Sequence, residues 1–235
     1  MPSEVNPSEL QSLNFQEGKM LLVDKPLEWT SFDVVKKMRG LTRVKKIGHA
    51  GTLDPLATGL LILCTGKMTK QIETFQSMEK AYEGVLVLGK TTPSVDLETE
   101  FDSEQSTEHI TPEELEQARE TFLGTINQVP PQHSAVKVDG KRVYKLARQG
   151  KSVEIKARQV QIKSFHFIEV ELPAIRFEVV CSKGTYIRSL VRDLGQTLGV
   201  GAYLKELRRT RIGQYHVNDA QTIAEWTQIL KAARE

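Results

Sequence analysis

Cysteine is scarce in this chain of 235 residues, which contains only Cys64 and Cys181. Neither lies in a CxxC or Cys/His pattern, so the sequence offers no disulfide framework and no zinc site, and both thiols are predicted to be small buried residues. Signatures of common cofactors are also missing, since there is no GxGxxG after a strand, no GxxxxGK[ST], no HExxH and no GxSxG. We therefore expect no metal and no cofactor, and any chemistry must come from ordinary side chains.

Long hydrophobic runs are absent as well. Apolar runs such as Leu60 to Leu63 are far too short to span a bilayer, and the polar segment MPSEVNPSELQS lacks the order of a signal peptide. These features predict a soluble cytoplasmic protein, with a mobile tail over residues 1–16 and an ordered fold over residues 17–235.

A large excess of charge of one sign is also missing, because the formal net charge is only +2. The charges are nevertheless unevenly distributed: Lys36 to Lys46 and Lys137 to Lys163 are strongly basic, whereas Asp96 to Glu120 is acidic. Basic segments can follow a phosphate backbone, and an acidic one should avoid it. Charge alone leaves two interpretations open, nucleic-acid binding and ordinary solvated faces of mixed sign.

Two helices can be placed from their end signals. Ser31 is predicted to N-cap the first, which ends at Gly40. The inward-facing residues of this helix are Val34, Val35 and Met38. The segment TPEELEQARETFLG is typical of the second, with Thr111 as N-cap, Glu114 closing a capping box and Gly124 as the stop.

The remaining patterns favour strands with single helices between them. KMLLVDKP, AYEGVLVLG, RQVQIKSFHFIEVEL and AIRFEVVCS are typical of strands, and Asp139-Gly140 is typical of a two-residue type I′ hairpin turn. An amphipathic helix is predicted between Gly184 and Gly199, and Thr222 caps a last helix. This order predicts an α+β fold, a single domain on a mixed, mainly antiparallel sheet flanked by helices.

One loop stands out as a candidate site. In GHAGTLDP, Gly48 and Gly51 permit tight backbone turns, and Asp54 precedes a proline that biases it away from helical dihedrals. The segment is therefore interpreted as a shaped loop that presents His49 and Asp54. The residues alone leave this open, because Asp-Pro commonly starts turns and an isolated histidine is usually structural.

The segment GHAGTLDPLATGLL closely resembles the signature loop of the bacterial tRNA pseudouridine synthase B family. The resemblance runs from about Lys19 to Tyr215, because LLVDKP, KAY, VPPQHSAVKVDGKRVYKLARQG, CSKGTYIRSLVRDLG and GAYLKELRR appear in the family's order. It implies the pseudouridine synthase fold and an isomerase that converts uridine-55 in the T-loop of tRNA to pseudouridine without a cofactor. The tRNA T-arm is the implied partner, and we expect a monomer without a membrane or protein partner.

The functional residues of the family can be transferred to this sequence one by one. The resemblance implies that Asp54 is the catalytic acid, that Tyr82 in KAY stacks on the target base and that Arg188 in GTYIR pairs with Asp54. Tyr186 and Leu207 match the other positions of the uracil pocket. Simpler interpretations stay open, because both tyrosines can be core aromatics and Leu207 can be a helix-packing residue.

Other positions match substrate contacts. His49 matches the histidine that enters the T-loop in place of the extruded nucleotide, and Lys70 is a candidate substrate contact. For Lys19 and Lys25 a structural role is favoured. A C-terminal RNA-binding module of the PUA type is expected to be absent, so RNA binding would fall to the basic segments, including Lys205 to Arg211.

The sequence leaves open two routes for Asp54, and two other functions are alternatives to the synthase. Asp54 can act by covalent attack or by deprotonating the sugar, and the sequence does not distinguish these routes. A glycoside hydrolase usually needs a second acid, and none accompanies Asp54 in a recognisable motif. A non-catalytic RNA-binding or tRNA-folding protein is the other alternative, against which the intact set of Asp54, Tyr82 and Arg188 argues.

Overall fold

A computed structural model describes residues 14–134, 136–138, 141–143 and 153–232. The chain divides into two compact units, one formed by residues 1–82 and 208–235 and the other by residues 83–207. We call the first the terminal unit, because it contains both ends of the chain, and the second the central unit. Most of the predicted N-terminal tail lies outside the described residues.

The helices and strands follow one another through both units. The terminal unit begins with β1 (Met20–Lys25), α1 (Ser31–Thr42), β2 (Ile47–His49), β3 (Ala57–Thr65), a 3-10 helix (Gly66–Gln71) and α2 (Ile72–Ser77). Strand β4 (Lys80–Leu88) continues into the central unit, which contains β5 (Lys90–Thr91), β6 (Ser103–Glu104), α3 (Pro112–Glu120), β7 (Gly124–Gln128), β8 (Lys137–Val138), β9 (Lys141–Arg142), β10 (Arg158–Glu171), β11 (Ala174–Cys181) and α4 (Ile187–Thr197). Strand β12 (Ala202–Ile212) returns to the terminal unit, followed by β13 (Tyr215–His216), a 3-10 helix (Val217–Asp219), β14 (Gln221–Thr222) and α5 (Ile223–Ala232).

The sheet of the terminal unit has the strand order β14, β1, β3, β12, with β2 also paired to β3. Strands β1 and β3 are antiparallel, from Met20 opposite Cys64 to Lys25 opposite Gly59, whereas β14 is parallel to β1. Strand β3 is apolar along its length because both of its faces are covered. One face packs on α1 and α5 through a cluster that includes Leu61, Leu63, Val34, Met38, Trp226 and Leu230, and the other packs through Leu60, Ile62, Cys64, Phe75 and Ile212.

Helix α1 begins one residue earlier than predicted. Its N-cap is Thr30, whose hydroxyl accepts the amide of Asp33 at 3.0 Å while the Asp33 carboxylate accepts the amide of Thr30 at 2.9 Å. The prediction of Ser31 as N-cap is wrong because Asp33 completes a capping box only with Thr30. The predicted end at Gly40 is also wrong, since the helix runs to Thr42 and is closed by Arg43 in the left-handed region, at φ 56°.

The central unit confirms the strand predictions. Its strand order is β12, β4, β11, β10, β7, and β10 is antiparallel to both β11 and β7. Phe165 meets Phe167 and Phe177 edge to face in the buried layer of this sheet. Together with the terminal unit, this confirms an α+β fold on a mixed, mainly antiparallel sheet flanked by helices.

The helix-end predictions have mixed outcomes. Thr111 and Glu114 form the predicted capping box of α3, but the helix ends at Glu120, and Gly124 instead begins β7 at φ +84°. Thr222 and Glu225 form the predicted box at α5. None of the helices in the described ranges is long and apolar enough to cross a membrane.

Three further predictions concern local structure. Strands β8 and β9 pair as a hairpin, while the residues of the predicted turn, 139 and 140, lie outside the described ranges. Cys64 and Cys181 are both buried free thiols, as predicted. Leu207 lies in strand β12, so the interpretation of it as a helix-packing residue is wrong. Its sequence neighbours alternate apolar and charged residues too irregularly to indicate a strand.

Candidate active site

Asp54 is half-buried in a loop of the terminal unit, residues 50–56, between β2 and β3. The carbonyl groups of this loop, which we call the Asp54 loop, accept hydrogen bonds from buried side chains of three other elements. The donors belong to Lys25 at the end of β1, Ser31 at the start of α1 and Arg209 in β12. A loop without regular structure is thereby held by its backbone, which restricts where its side chains point.

Arg209 is the most extensive of these contacts. Its side chain is 1% exposed, and its guanidinium donates to the carbonyls of Leu60 at 2.8 Å, Gly51 at 3.2 Å and Thr52 at 3.5 Å. The backbone of β12 approaches β3 closely at Gly59, where an added Cβ would lie 2.3 Å from the carbonyl oxygen of Arg209 and φ is +101°. Glycine is therefore required at this position of the LATG segment.

Lys25 is a buried cation beside the same loop. Its side chain is fully buried, and its ammonium donates to the carbonyls of Trp29 at 2.6 Å, Pro26 at 2.8 Å and Pro55 at 3.3 Å. Burial lowers the pKa of Lys25 to about 8, and the negative charge of Asp54 opposes that shift. Lys25 thus joins the end of β1 to the Asp54 loop and places a positive charge within range of the Asp54 carboxylate.

Ser31 provides the third attachment. Its hydroxyl accepts the amide of Leu53 at 2.9 Å and donates to the carbonyl of the same residue at 3.2 Å. One hydroxyl therefore satisfies both polar backbone groups of the residue that precedes Asp54. The side chain that was predicted to cap α1 instead fixes the Asp54 loop.

His49 ends strand β2, just before the Asp54 loop, and the chain continues with Ala50 donating its amide to Ile62 at 2.9 Å. Burial lowers the pKa of His49, the positive charge of Arg209 lowers it further, and a backbone hydrogen bond with Gly51 acts in the opposite direction. The imidazole is consequently neutral at physiological pH.

The other predicted residues of the terminal unit, Lys70 and Tyr82, lie in the elements that precede and follow α2. Tyr82 is nearly buried in β4, two residues after Lys80, whose ammonium donates to carbonyls at the end of α2. Lys70 belongs to the 3-10 helix that precedes α2 and lines a cavity of about 670 Å³. The other basic residues that line this cavity are Arg43, Lys45, Lys46 and Lys67.

The arginines of the basic segment from Lys205 to Arg211 have partners within the protein. Arg208 forms a bidentate ion pair with Asp24, and Arg211 is paired with Glu79 at 2.8 Å. Arg209 is buried, as described above, whereas Lys205 is exposed and the side chain of Arg208 remains 40% exposed. Arg209 therefore cannot be one of the RNA contacts predicted for this segment.

In the central unit, Arg188 lies in the first turn of α4 and is 3% exposed. Its guanidinium donates to the carbonyls of Ser94 at 2.9 Å and His133 at 2.8 Å, and one of its nitrogens lies 3.4 Å from a carboxylate oxygen of Asp96. Two neutral acceptors and one buried carboxylate thus fix the direction of this side chain. Asp96, from the acidic segment predicted to avoid RNA, has a structural partner here.

Tyr186 immediately precedes α4 and is held by two residues that the sequence did not indicate. The side-chain amide of Gln128 pairs with both backbone polar groups of Tyr186, and the guanidinium carbon of Arg158 lies 4.6 Å from the centre of its ring. Leu207, the third predicted residue of this unit, is half-buried in β12.

Each unit thus brings together part of the predicted set. The terminal unit contains Asp54, His49, Tyr82 and Lys70, and the central unit contains Arg188, Tyr186 and Leu207. The sequence did not indicate that five other residues hold these side chains and the Asp54 loop in place: Ser31, Arg209, Asp96, Gln128 and Arg158. No local pattern in the sequence indicates that these residues hold the predicted ones. Within the described ranges, no group of three or more His, Cys, Asp or Glu side chains is arranged to hold a metal ion.

Comparison with known proteins finds family models and relatives that all belong to the pseudouridine synthases. Residues 39–187 match the model of the TruB family pseudouridylate synthase N-terminal domain, and residues 188–235 match that of the tRNA pseudouridylate synthase B C-terminal domain. The chain is 53% identical to the tRNA pseudouridine synthase B of Phocaeicola vulgatus over 91% of this chain and 95% of that protein. It is 50% identical to the protein of the same name from Flavobacterium johnsoniae, over 92% and 98%.

Solved structures show the same fold. A chain in the crystal structure of a Cbf5-Nop10-Gar1 complex superposes with a TM-score of 0.70 at 25% identity, covering 99% of this chain and 64% of that one. A chain of the archaeal box H/ACA sRNP Nop10-Cbf5 complex gives 0.70 at 24% identity, covering 100% and 60%. The present chain therefore spans a little under two thirds of the length of these structural neighbours.

Proposed function

The chain belongs to the TruB family of pseudouridylate synthases, and we propose on this basis that it converts uridine-55 in the T-loop of tRNA to pseudouridine. The reaction is an isomerisation with no group donor and no net oxidation. The site of action is the cytoplasm, where tRNA is processed.

The observation that carries this proposal is the anchoring of the Asp54 loop by Lys25, Ser31 and Arg209. A carboxylate that must act on one sugar carbon has to be held in a single position before the substrate arrives. The backbone of an ordinary Asp-Pro turn on a protein surface needs only water as a partner. Three buried donors directed at one loop therefore support a functional site over a simple turn.

Asp54 is the residue proposed to start the reaction. The N1–C1′ bond of the target uridine breaks, the detached uracil turns within its pocket, and C5 bonds to C1′; the C5 proton then leaves and N1 ends with a proton. Asp54 acts either as a nucleophile or as the base that removes a sugar proton, and both routes need an ionised carboxylate. The nearby charge of Lys25 favours that ionised form.

Arg188 is proposed to pair with Asp54 during the reaction. A guanidinium keeps its charge at any physiological pH and matches the shape of a carboxylate. Its contacts to Ser94, His133 and Asp96 already hold the guanidinium in one orientation, so no side-chain freedom has to be lost when the substrate binds. Its role is to keep the Asp54 carboxylate ionised and correctly directed.

Tyr82 and Tyr186 are proposed to hold the detached base. An aromatic ring on the face of uracil resists loss of the base between the two bond changes. The phenol of Tyr82 is also the proposed carrier of the C5 proton. Leu207 is the proposed apolar wall of the same pocket.

RNA binding is proposed to use the basic cavity lined by Arg43, Lys45, Lys46, Lys67 and Lys70. Several cations around one concave surface suit the phosphates of a single RNA strand, and binding should weaken steeply with added salt. Extrusion of the target base costs a few kcal/mol, which insertion of the neutral imidazole of His49 into the T-loop would help to offset. The tRNA shape, more than its sequence, would then be recognised.

The test uses an unmodified T-arm minihelix and tritium release from C5, with pseudouridine mapped by a base-specific chemical label. We expect product at uridine-55 with the wild-type protein, and a loss of at least about 10⁴-fold with Asp54→Asn, because no other group replaces the carboxylate. Glu178→Gln, the matching change at an exposed side chain of β11, should be as active as the wild type. Failure of the wild type to modify the T-loop would overturn the proposal, and tRNA refolding by an inactive wild type would favour the non-catalytic alternative.

A further inference from the structure

The ends of strands β7 and β10 meet beside the segment that leads into α4. Gln128 is the last residue of β7, Arg158 is the first of β10, and the two are direct partners in the antiparallel register. Residues opposite each other in such a ladder project their side chains to the same face. Both side chains contact the segment from Gly184 to Tyr186.

Gln128 holds the backbone of Tyr186. Its side chain is fully buried; its amide oxygen accepts the N–H of Tyr186 at 2.8 Å, and its amide nitrogen donates to the Tyr186 carbonyl at 3.1 Å. A primary amide is the side chain that presents one donor and one acceptor side by side. Glutamate would set a negative oxygen against the carbonyl, and asparagine would be one methylene too short.

Arg158 holds the ring of the same residue. Its guanidinium carbon lies 4.6 Å from the centre of the Tyr186 ring, and one of its terminal nitrogens donates to the carbonyl of Gly184. The hydrogen bond fixes the plane of the guanidinium, and the stacking then fixes the plane of the phenol. Gly184 has a φ of +82°, so the turn itself needs glycine at this point.

The turn before Tyr186 is anchored independently of these two residues. The hydroxyl of Ser182 accepts the amide of Gln161 at 2.9 Å, the amide of Ser182 donates to the Gln161 carbonyl at 2.8 Å, and the hydroxyl of Thr185 donates to the Ser182 carbonyl at 2.9 Å. The chain therefore arrives at Tyr186 in a defined position. Gln128 then fixes the orientation of the Tyr186 peptide groups, and Arg158 fixes the orientation of its ring.

We propose that Gln128 and Arg158 are positioning residues for pseudouridine formation, which hold Tyr186 in the orientation that the uracil pocket requires. This inference rests on the proposed function, because it takes Tyr186 to line that pocket. Neither residue needs to contact the base. Gln128 acts on the backbone, and through it on the start of α4, while Arg158 acts on the ring alone.

The division of roles predicts different kinetic effects. Gln128→Glu should lower kcat by about 30-fold, because repulsion of the Tyr186 carbonyl shifts the backbone that leads to Arg188 two residues later. Arg158→Lys keeps the charge but loses the planar stacking, and should lower kcat by about tenfold with tRNA affinity within about twofold of wild type. A change confined to tRNA affinity would show that Arg158 is only a phosphate contact and would overturn its positioning role.

A double-mutant cycle separates positioning from general structural support. In a Tyr186→Leu background, measured by single-turnover kinetics with excess enzyme, Arg158→Lys should change the rate by less than about twofold, because the ring that it positions is gone. The same tenfold loss in both backgrounds would contradict the proposal. Arg192→Lys is the matched control, because the Arg192 guanidinium donates at 3.0 Å to the carbonyl of Val129, the neighbour of Gln128, and should leave the rate unchanged.

Two further measurements distinguish a loss of positioning from a general effect of added negative charge and from a failure to fold. Gln159→Glu makes the same chemical change as Gln128→Glu at an exposed neighbour of Arg158, and should be as active as the wild type. Thermal unfolding of each variant identifies any that fail to fold, and Arg158→Lys at a solvent-accessible site should remain folded. If the wild type makes no pseudouridine, the proposed function fails; if it does and Gln128→Glu and Arg158→Lys match it, only this inference fails.

Discussion

In the terminal unit the group proposed to react is a short carboxylate on a loop, whereas in the central unit the group proposed to pair with it is a guanidinium at the end of a long side chain. Asp54 has little side chain to restrain, so its position depends on the backbone, and the restraints are donors directed at loop carbonyls. Arg188 has several rotatable bonds, so its position depends on its head group, and the restraints are acceptors around the guanidinium. The length of a side chain therefore decides which part of it a protein must hold.

The two units also differ in how they compensate buried charge. The terminal unit surrounds the buried cations Lys25 and Arg209 mainly with carbonyl oxygens, and the central unit places Arg188 beside the buried carboxylate of Asp96. Removing one partner from a buried, hydrogen-bonded charge costs about 3–5 kcal/mol. Substitutions of these buried cations should thus lower the stability of both units, and in the central unit a substitution of Arg188 should also slow the reaction, because Arg188 is proposed to pair with Asp54.

After the loss expected for Asp54→Asn, the largest effect is expected for Arg188→Lys. A lysine cannot reach Ser94, His133 and Asp96 together and still present a planar fork to a carboxylate, so kcat should fall about 10³-fold, equivalent to about 4 kcal/mol. KM should change by less than about threefold, since tRNA binding uses other surfaces. Single-turnover and steady-state kinetics with a T-arm minihelix check this, and a rise in KM with an unchanged kcat would contradict the catalytic role.

Lys25→Met should lower the free energy of unfolding by about 2–3 kcal/mol at pH 7, because the carbonyls of Trp29, Pro26 and Pro55 lose a buried donor. Urea unfolding followed by circular dichroism measures this loss.

The same variant tests the lowered pKa of Lys25. Since this pKa is about 8 in the folded protein and 10.5 ordinarily, the unfolded chain binds more protons between these values, and wild-type stability should rise with pH across that window. Lys25→Met lacks that rise, so the stability difference between the two proteins should widen from pH 8 to pH 10.5. A constant difference would show that the Lys25 ammonium is not desolvated.

The smallest losses of stability and of kcat are expected when either of two adjacent hydroxyls, those of Thr30 and Ser31, is removed. Thr30→Ala removes a helix cap and should cost about 1 kcal/mol of stability with kcat unchanged. Ser31→Ala removes both contacts to Leu53 and should cost about 1–2 kcal/mol, with kcat about fivefold lower because the Asp54 loop is loosened. Equal kcat values for the two variants would show that the anchoring of this loop does not affect the reaction.

Much of the fold and of the candidate site could be predicted from the sequence, for identifiable reasons. Local hydrogen bonds follow from residues three apart, so the capping boxes at Thr111 and Thr222 were predicted correctly. The prediction of Ser31 as the cap of α1 was wrong because Asp33 lies three residues after Thr30 and forms the capping box with it. The bond of the Ser31 hydroxyl to Leu53 depends on tertiary structure, and no local spacing indicates it. Leu207 was open to a helical interpretation because an irregular pattern leaves the type of element to tertiary pairing.

The sequence by itself determined the family, the fold class and the residues proposed to react, because these depend on motifs that are contiguous in the chain. The tertiary structure alone decided how those residues are held. Arg209 is separated from Gly51 by more than half of the chain, and Gln128 from Tyr186 by 58 residues. Contacts over such distances exist only after the strands have paired, so no local pattern encodes them. A basic segment could consequently be interpreted as an RNA contact until the structure showed that Arg209 is buried beneath the Asp54 loop.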